Sequence, residues 1–257
     1  MIKRKIEINI EDFPEKLHEL LLSGNVYDSS CSSNAMTLYC DSGYYIKIDD
    51  KGELALEAEL CDHFFHLGLG VKVIQYISTD KDYLVTQSAV GEDLTHHLDN
   101  PTALCDLLAS SLRRLHNQPL ADAPASARLQ RYFDSADGDF SGGYYDESVL
   151  MDGFRVFSKQ EAWNIMQANK NKLKADTLIH GDACLPNVVC HNGRFGSFID
   201  LGMAGAGDKH IDLYWVLWSL QYNLRTNEYT DYFLDQYGRE NFDLDMLKVV
   251  AAFELFG

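Results

Sequence analysis

Two segments of the sequence decide the fold, HGDACLPN at residues 180–187 and FIDLG at residues 198–202. The first segment follows a short apolar run, and the second contains the end of another. The hydrophobic pattern predicts that each of these runs is a β-strand. Polar side chains that come directly after neighbouring strands meet at one rim of the structure. We therefore expect Asp182, Asn187 and Asp200 to lie close together.

These three side chains form the set that phosphoryl transfer to an alcohol requires. One carboxylate orients and deprotonates the alcohol, while an amide and a second carboxylate hold Mg²⁺ against the nucleotide phosphates. The five-residue gap from Asp182 to Asn187 equals that of the protein-kinase catalytic loop, and Asp200 stands where kinases have the aspartate of their D-F-G segment. Taken singly, each residue also fits a helix cap or a turn. The three together favour catalysis.

The residues before this region are predicted to be rich in strands. Alternating or apolar runs predict strands at 5–10, 36–40, 44–48, 72–77 and 83–87. Helical spacing of apolar residues predicts helices at 14–24 and 53–67, and Asp41-Ser42-Gly43 is typical of a hairpin turn. We expect residues 1–88 to form a small N-terminal lobe built on an antiparallel sheet.

After Gly91 the pattern becomes mainly helical. Helices are predicted at 101–117, 158–172, 210–223, 228–237 and 243–256. Short strands are predicted at 177–179 and 188–189, the latter pairing with 195–199 through a turn at His191-Asn192-Gly193. The predicted fold class is therefore α+β, with a larger helical C-terminal lobe over residues 89–257.

Composition limits the classes of binding partner and the cellular compartment. The chain has 257 residues, 46% of them hydrophobic, and 39 acidic against 22 basic residues give a formal net charge of −17. Such a chain is unsuited to nonspecific nucleic-acid binding; a cationic ligand fits the sign of the charge, and a purely solubilising role is the alternative. There is no signal-peptide pattern, no apolar stretch of membrane-spanning length and no C-x-x-C pair among six cysteines. We expect a cytoplasmic protein without membrane contact, monomeric or else dimeric.

The sequence resembles the aminoglycoside 3′-phosphotransferases, the kinases that inactivate aminoglycoside antibiotics. The resemblance is carried by HGDACLPN, by NGRF at 192–195 and by FID at 198–200, and it extends to RRLH at 113–116. It implies a bilobal, protein-kinase-like fold that uses ATP or GTP with Mg²⁺. The broader pattern H-G-D-x-x-x-x-N also occurs in choline, homoserine and macrolide kinases.

The resemblance also implies individual roles in the C-terminal lobe. Asp182 would be the catalytic base, and Asn187 and Asp200 would hold the metal ion. Bracing of the catalytic segment is expected from His180, Asp208 and Asp212. A purely structural role at a helix start is the alternative for Asp212.

Nucleotide contacts are expected in the N-terminal lobe. Lys47, in the strand at 44–48, corresponds to the lysine that holds the α- and β-phosphates, and Glu59 on the following helix is its expected ion-pair partner. The remaining expected contacts come from an aromatic ring, a small hydroxyl-rich loop and the backbone of the segment between the lobes: Tyr45, Ser32, Ser33, Gln87 and Ala89. The alternatives without a nucleotide are a solvated side chain for Lys47, a tyrosine placed by its β-propensity for Tyr45, and a polar turn for the hydroxyl-rich loop.

Carboxylates are expected to bind the second substrate, because an aminoglycoside is a polycation. The stretch 132–154 contains six acidic residues and no Lys or Arg. Candidate ligands in this stretch and near the C-terminus are Asp146, Glu147, Asp152 and Glu254, with a solvated acidic loop as the alternative. Met203 and Phe253 replace an arginine and an acidic residue that relatives commonly have, so we expect drug range rather than phosphoryl transfer to differ.

Three functions remain open at this level. The first is a kinase for the 3′-hydroxyl of an aminoglycoside. The second is a kinase of another small alcohol, such as a macrolide or a metabolite, and a substrate panel separates these two. The third is a nucleotide-binding protein without catalysis, which the presence of Lys47, Asp182, Asn187 and Asp200 together disfavours.

Overall fold

The structure is a computed structural model that describes residues 3–30, 35–121, 123–124, 126–151, 153–154 and 158–257. Its contacts divide the chain into two compact units, residues 1–90 and residues 91–257. Each unit has its own sheet and its own buried apolar residues. The combination of an antiparallel sheet with a mainly helical unit is the α+β class predicted from the sequence.

In its described residues, the first unit is a six-stranded antiparallel sheet with two α-helices. Its strands, in chain order, are β1 (Arg4–Lys5), β2 (Val26–Asp28), β3 (Met36–Cys40), β4 (Tyr44–Asp50), β5 (Val73–Ser78) and β6 (Lys81–Gln87). They are arranged in the order β1-β2-β3-β4-β6-β5. The helices are α1 (Glu15–Leu22) and α2 (Ala55–His66). The predicted hairpin turn is confirmed, since the amide of Gly43 donates to the carbonyl of Cys40 at 2.9 Å.

The two faces of this sheet carry different chemistry because alternate strand residues point to opposite sides. Ile46 of β4 and Val85 of β6 lie opposite each other and are fully buried in one core with Leu17 and Leu21 of α1. Lys47, one residue on, therefore points to the other face. The sheet thus presents an apolar face to α1, and its opposite face carries the Lys47 ammonium.

The predicted strand at 5–10 is wrong. Of the described residues before α1, only Arg4 and Lys5 pair with β2, and residues 10–12 form a 3₁₀ turn. The side chain of Asn9 accepts a hydrogen bond from the amide of Glu11 at 3.4 Å and caps that turn. An Asx side chain of this kind offers the backbone an alternative to the sheet ladder, which the alternation of isoleucines concealed.

The second unit is built mainly from helices. They are α3 (Pro101–His116), α4 (Arg128–Gly142), α5 (Lys159–Asn169), α6 (Lys209–Leu224), α7 (Thr230–Tyr237) and α8 (Leu244–Glu254). Two small sheets accompany them, β10-β9-β7 and β11-β8, formed by β7 (Glu92–Asp93), β8 (Thr177–Ile179), β9 (Val188–His191), β10 (Arg194–Phe198) and β11 (Gly205–Gly207). None of the helices in the described part of the chain is long and apolar enough to cross a membrane.

Much of the acidic stretch is helical rather than a loop. Helix α4 runs through Gly142, and Gly143 ends it in the left-handed conformation, with φ of 90°. Glycine adopts this conformation without strain, so Gly143 serves as a helix C-cap. Acidic side chains spaced along a helix could not be distinguished from a solvated loop by their charge alone.

Candidate active site

The candidate catalytic segment, residues 180–187, begins where the buried strand β8 ends. Gly181 has φ of +85°, and a Cβ atom built there would lie 1.9 Å from the carbonyl oxygen of Met203. Only glycine permits both the backbone conformation and this close approach. The segments that start at His180 and at Asp200 therefore run against each other, as their common position after strands predicted.

Asp182 and Asn187 are joined directly. The side-chain amide of Asn187 donates to the carboxylate of Asp182 at 2.8 Å and to its backbone carbonyl at 3.0 Å. Asn187 is 8% exposed, whereas Asp182 is partly accessible to solvent. Because the side-chain nitrogen of Asn187 makes both bonds, its side-chain oxygen is the atom that could hold a metal ion.

His180 braces this loop. Its ring is fully buried, with Nε2 3.0 Å from the carbonyl oxygen of Ile199 and Nδ1 3.2 Å from the amide of Asp182. A carbonyl needs a donor and an amide needs an acceptor, so the ring carries its proton on Nε2. Both of its nitrogens are thus occupied by the two segments that His180 connects.

Asp212 of α6 binds the backbone of the same loop. Its carboxylate, 0% exposed, accepts hydrogen bonds from the amides of His180 at 2.8 Å and Gly181 at 2.7 Å. His116 of α3 contacts it through Nε2 at 3.0 Å, and the hydroxyl of Tyr237 lies 2.8 Å from the other ring nitrogen. Burial acts to raise the pKa of Asp212, but these donors and the neighbouring imidazoles hold the pKa below its ordinary value. The carboxylate is therefore an ionised clamp on the catalytic loop.

The expected role of Asp208 is corrected by the structure. Asp208 is the N-cap of α6, where its carboxylate accepts from the amide of His210 at 3.0 Å and from that of Lys174 at 2.9 Å. Neither donor belongs to the catalytic segment. Asp212 makes the contacts that were expected of both aspartates, and the helix-start role considered for Asp212 belongs to Asp208.

Asp200 has the backbone conformation of a residue under constraint. It is exposed and has φ of 58°, in the left-handed region that residues other than glycine rarely occupy. The amide of Ile199 donates to the backbone carbonyl of Asn187 at 3.0 Å, so Asp200 follows a residue that is tied to Asn187. Within the described residues no group of three or more His, Cys, Asp or Glu is arranged around a metal ion. An amide and a carboxylate suit Mg²⁺, which takes its other ligands from water and phosphates.

Lys47 is paired with Glu57, so the expected partner Glu59 is wrong. The distance from Lys47 Nζ to Glu57 Oε2 is 2.8 Å, and the side chains are 26% and 8% exposed. Glu59 is exposed on the same helix. Glu57 shares the buried side of α2 with Leu60 and Phe64, three and seven residues on, and this helical spacing could have identified it.

Tyr45 lies on the same sheet face as Lys47, in a row of three tyrosines. The ring centroids of Tyr39 and Tyr45 are 4.9 Å apart, those of Tyr27 and Tyr39 are 6.0 Å apart, and Nζ of Lys3 lies 3.3 Å from the centroid of Tyr39. This face can offer aromatic surface to a nucleotide base.

The other expected nucleotide contacts divide into two groups. Gln87 and Ala89 line a depression of about 520 Å³ whose wall includes Tyr44 but neither Tyr45 nor Lys47. The amide of Gln87 already donates to the carbonyl of Lys72 at 2.9 Å, so it is not available to a base. Ser32 and Ser33 lie outside the described residues.

The candidate acceptor ligands lie at different depths. Asp146 caps a short 3₁₀ turn through the amide of Ser148, and Glu147 is exposed. Asp152 lies outside the described residues. Glu254 is 4% exposed and accepts from the hydroxyl of Tyr132 at 2.7 Å. Burial raises the pKa of Glu254 to about 7, although Tyr132 and a nearby guanidinium act in the opposite direction.

That guanidinium belongs to Arg128, which sequence reasoning missed. Arg128 is 2% exposed, donates from Nε to the carbonyl of Met203 at 3.0 Å and lies over the ring of Tyr132, 4.9 Å from its centroid. It thus brings a positive charge to the segment in which Met203 replaces the expected arginine. No local pattern around residue 128 indicates this, because the contact joins positions 75 residues apart.

Fold and site define an α+β phosphotransferase with a kinase-like catalytic loop. The chain belongs to the phosphotransferase enzyme family, whose model matches residues 36–249. It is 40% identical to a probable aminoglycoside 3′-phosphotransferase of Lactococcus lactis, over 99% of this chain and 98% of that protein. It is also 34% identical to a streptomycin 3″-kinase of Streptomyces griseus, over 41% and 42% of the two chains. The resemblance inferred from the motifs is confirmed.

Solved structures confirm the fold. An aminoglycoside phosphotransferase of Streptomyces rimosus has a TM-score of 0.74 at 19% identity, covering 88% of this chain and 91% of that one. An aminoglycoside-3′-phosphotransferase of type VIII has a TM-score of 0.67 at 19% identity, over 99% and 94%. The Streptomyces rimosus protein has also been solved in complex with ADP and streptomycin, and that structure matches with a TM-score of 0.72 at 19% identity.

Proposed function

We propose that this protein transfers the γ-phosphate of ATP or GTP to the 3′-hydroxyl of an aminoglycoside and so confers resistance to the drug. The observation that carries the proposal is the Asp182 carboxylate, which Asn187 orients while Asp212 clamps the backbone of its loop. A partly accessible carboxylate held in this way is suited to accept a proton from an alcohol. The name of the Lactococcus lactis relative supplies the acceptor class.

The proposed reaction depends on positioning. Asp182 orients the acceptor hydroxyl and takes its proton as the new O–P bond forms, and the bond from the γ-phosphorus to the bridging oxygen breaks. The transition state is loose and anionic, so the protein contributes mainly orientation and charge. The buried hydrogen bonds of His180 and Asp212 keep the base in place through this step.

Asn187 and Asp200 would hold Mg²⁺ through oxygen atoms. When bound, the ion would neutralise charge on the nucleotide phosphates. In the N-terminal unit, Lys47 would hold the phosphates, with its ammonium oriented by Glu57. Tyr45 would stack on the base, and Ala89 would contact its edge through the backbone.

On the acceptor side, we propose that Asp146, Glu147 and Glu254 bind ammonium groups of the drug. The reaction is proposed to occur in the cytoplasm, where nucleoside triphosphates and Mg²⁺ are available. We propose that the protein acts as a monomer, with a dimer as the alternative.

The test is nucleotide turnover by the purified chain with ATP and with GTP. The assay contains Mg²⁺ and single drugs: kanamycin, neomycin and a derivative that lacks the 3′-hydroxyl. We expect turnover with the first two drugs and none with the derivative. Turnover that ignores the 3′-hydroxyl would overturn the assignment of the site of transfer, and silence with every drug would overturn the acceptor class.

Two variants separate the roles of the aspartates. Asp182→Ala is expected to lower turnover about 10²- to 10⁴-fold while nucleotide affinity stays unchanged. Asp200→Ala is expected to weaken binding of Mg-ATP, measured by calorimetry. Substantial turnover in the first variant, or unaltered affinity in the second, would contradict the assigned roles.

A further inference from the structure

One face of helix α6 carries a row of partly exposed aromatic rings. Trp215, Trp218 and Tyr222 follow one another at helical spacing, with ring centroids 5.5 Å and 5.0 Å apart. Tyr222 stacks on Trp218 at an interplanar angle of 12°. Trp215 and Trp218 meet edge to face, at an interplanar angle of 78°. Partly exposed rings in this arrangement offer both faces and edges to a ligand.

This face begins beside the proposed catalytic base. The thiol of Cys184, two residues after Asp182, donates to the carbonyl oxygen of Trp215 at 3.8 Å. The amide of Leu185 donates to the hydroxyl of Ser219 at 2.9 Å. The candidate catalytic segment therefore packs on α6 between Trp215 and Ser219.

Both tryptophan rings are held in place by their N–H groups. Trp215 hydrogen-bonds the buried carboxylate of Glu254, and Nε1 of Trp218 donates to the carbonyl of Ser148 at 3.2 Å. Neither ring needs to be ordered when a ligand arrives. A preorganised surface of this kind loses little entropy on binding.

Carboxylates lie beside the two rings. Glu254 hydrogen-bonds Trp215. The segment that contains Asp146 and Glu147 is tied to the helix by the bond from Tyr214 to the carbonyl of Val149 at 2.7 Å. The amide of Asp146 also donates to the carbonyl of Leu255, next to Glu254, at 2.9 Å. The rings thus lie next to a group of carboxylates, which favours a ligand with both cationic groups and an apolar face.

We propose that Trp215 and Trp218 line the acceptor site, where one indole face binds the C–H face of an aminated sugar ring and the other indole stands beside that ring. The C–H bonds of such a ring carry partial positive charge and stack on the negative face of indole, while its ammonium groups reach the neighbouring carboxylates. The inference rests on the proposed function and adds a selection rule to it. Carboxylates alone would bind any polyamine, whereas the two indoles favour cyclic ones.

The kinetic test compares ring removal with ring retention. Trp215→Leu and Trp218→Leu are each expected to raise KM for kanamycin about tenfold and to leave KM for ATP unchanged. Trp215→Phe keeps a ring but loses the N–H group, and it should retain most of the affinity. Trp163→Leu is the matched control, because Trp163 is stacked on Phe140, with centroids 4.0 Å apart, outside this row.

A second ligand separates stacking from charge. Spermine carries the ammonium groups without a ring, so its inhibition constant should be the same for the wild type and for Trp218→Leu. Equal losses for spermine and kanamycin would overturn the stacking role. A Trp215→Phe variant as impaired as Trp215→Leu would assign the effect to the Glu254 hydrogen bond and would likewise overturn it.

Tryptophan fluorescence reports on the same contact without turnover. Addition of kanamycin to the nucleotide-free protein should change the emission, and the change should persist in Trp163→Phe and be lost in the double variant Trp215→Phe/Trp218→Phe. An unchanged response in the double variant would contradict the proposal. A wild type that turns over no aminoglycoside defeats the proposed function, and this inference with it. An active wild type whose Trp215→Leu and Trp218→Leu variants keep their KM for kanamycin defeats the inference alone.

Discussion

Lys47 of β4 contacts Glu57 of α2 at 2.8 Å, while Glu59, two residues further along the same helix, is exposed. Residues two apart on a helix point about 200° apart, so only one of the two can face the sheet. Glu57 does so from a position that is 8% exposed, where solvent weakens the ion pair little. The pair is therefore a fixed part of the N-terminal unit.

The first prediction follows from this pair. Glu57→Gln removes the charge that orients the Lys47 ammonium and should raise KM for ATP about tenfold, since a hydrogen bond to a charged group contributes about 1.5–3 kcal/mol. Glu59→Gln is the matched control on the same helix and should behave as the wild type. Steady-state kinetics with ATP varied measures both. A larger effect in the Glu59 variant would contradict the pairing.

The second prediction concerns the hydroxyl of Tyr237. Its loss in Tyr237→Phe leaves Nδ1 of the buried His116 ring without its partner, and about 1 kcal/mol of unfolding free energy should be lost. Turnover should fall as well, because His116 supports Asp212 and Asp212 holds the catalytic loop. Urea denaturation and kcat are the measurements.

Tyr232→Phe provides the control for Tyr237. Tyr232 also joins α7 to α3 through its hydroxyl, 3.0 Å from Asp106, but this bond is exposed and leads to no catalytic residue. Its removal should change the unfolding free energy by less than about 0.5 kcal/mol and leave kcat unaltered. Equal effects of the two substitutions would count against a special role for Tyr237.

The third prediction compares two glycines with positive φ. Gly181→Ala would place a Cβ atom 1.9 Å from the carbonyl oxygen of Met203, so the catalytic segment must shift and activity should be abolished. Gly193→Ala suffers comparable backbone strain at φ of +71°, but its Cβ would meet nothing within 4 Å. It should lose about 1 kcal/mol of stability and keep its activity. Activity in a folded Gly181→Ala protein would contradict the close approach.

The fourth prediction is a pH dependence caused by Glu254. Burial raises the pKa of this carboxyl from 4.5 to about 7, so the folded state binds the proton more tightly than the unfolded state. The resulting stabilisation is complete below pH 4.5 and is lost as the pH rises toward 7. A difference of this size corresponds to about 3 kcal/mol.

Glu254→Gln removes this titration and tests its sign. Relative to the wild type, the variant should gain stability between pH 5 and pH 8, measured as the change in the urea midpoint. If the urea midpoints of the two proteins differed by the same amount at pH 5 and at pH 8, this result would contradict a raised pKa for Glu254.

The predictability of the fold and the site from the sequence differs from residue to residue. The helices that contain Leu17 and Leu108 and the β3–β4 hairpin were predictable, because apolar spacing and turn chemistry are local. Strand 5–10 was predicted wrongly because the local bond of Asn9 overrode its alternation. The three-residue strands β2 and β11 are too short to show any periodicity.

The chemistry of the catalytic loop was determined by the sequence alone, because Asp182 and Asn187 lie within one short segment and their spacing defines their contact. The tertiary structure decided the rest: that Glu57 rather than Glu59 meets Lys47, that Arg128 reaches Met203, and that Asp208 caps a helix while Asp212 clamps the loop. Each of these depends on which side of a helix is turned inward or on contacts between distant segments. Those are fixed by packing of whole elements against one another, and no local pattern of residues encodes them.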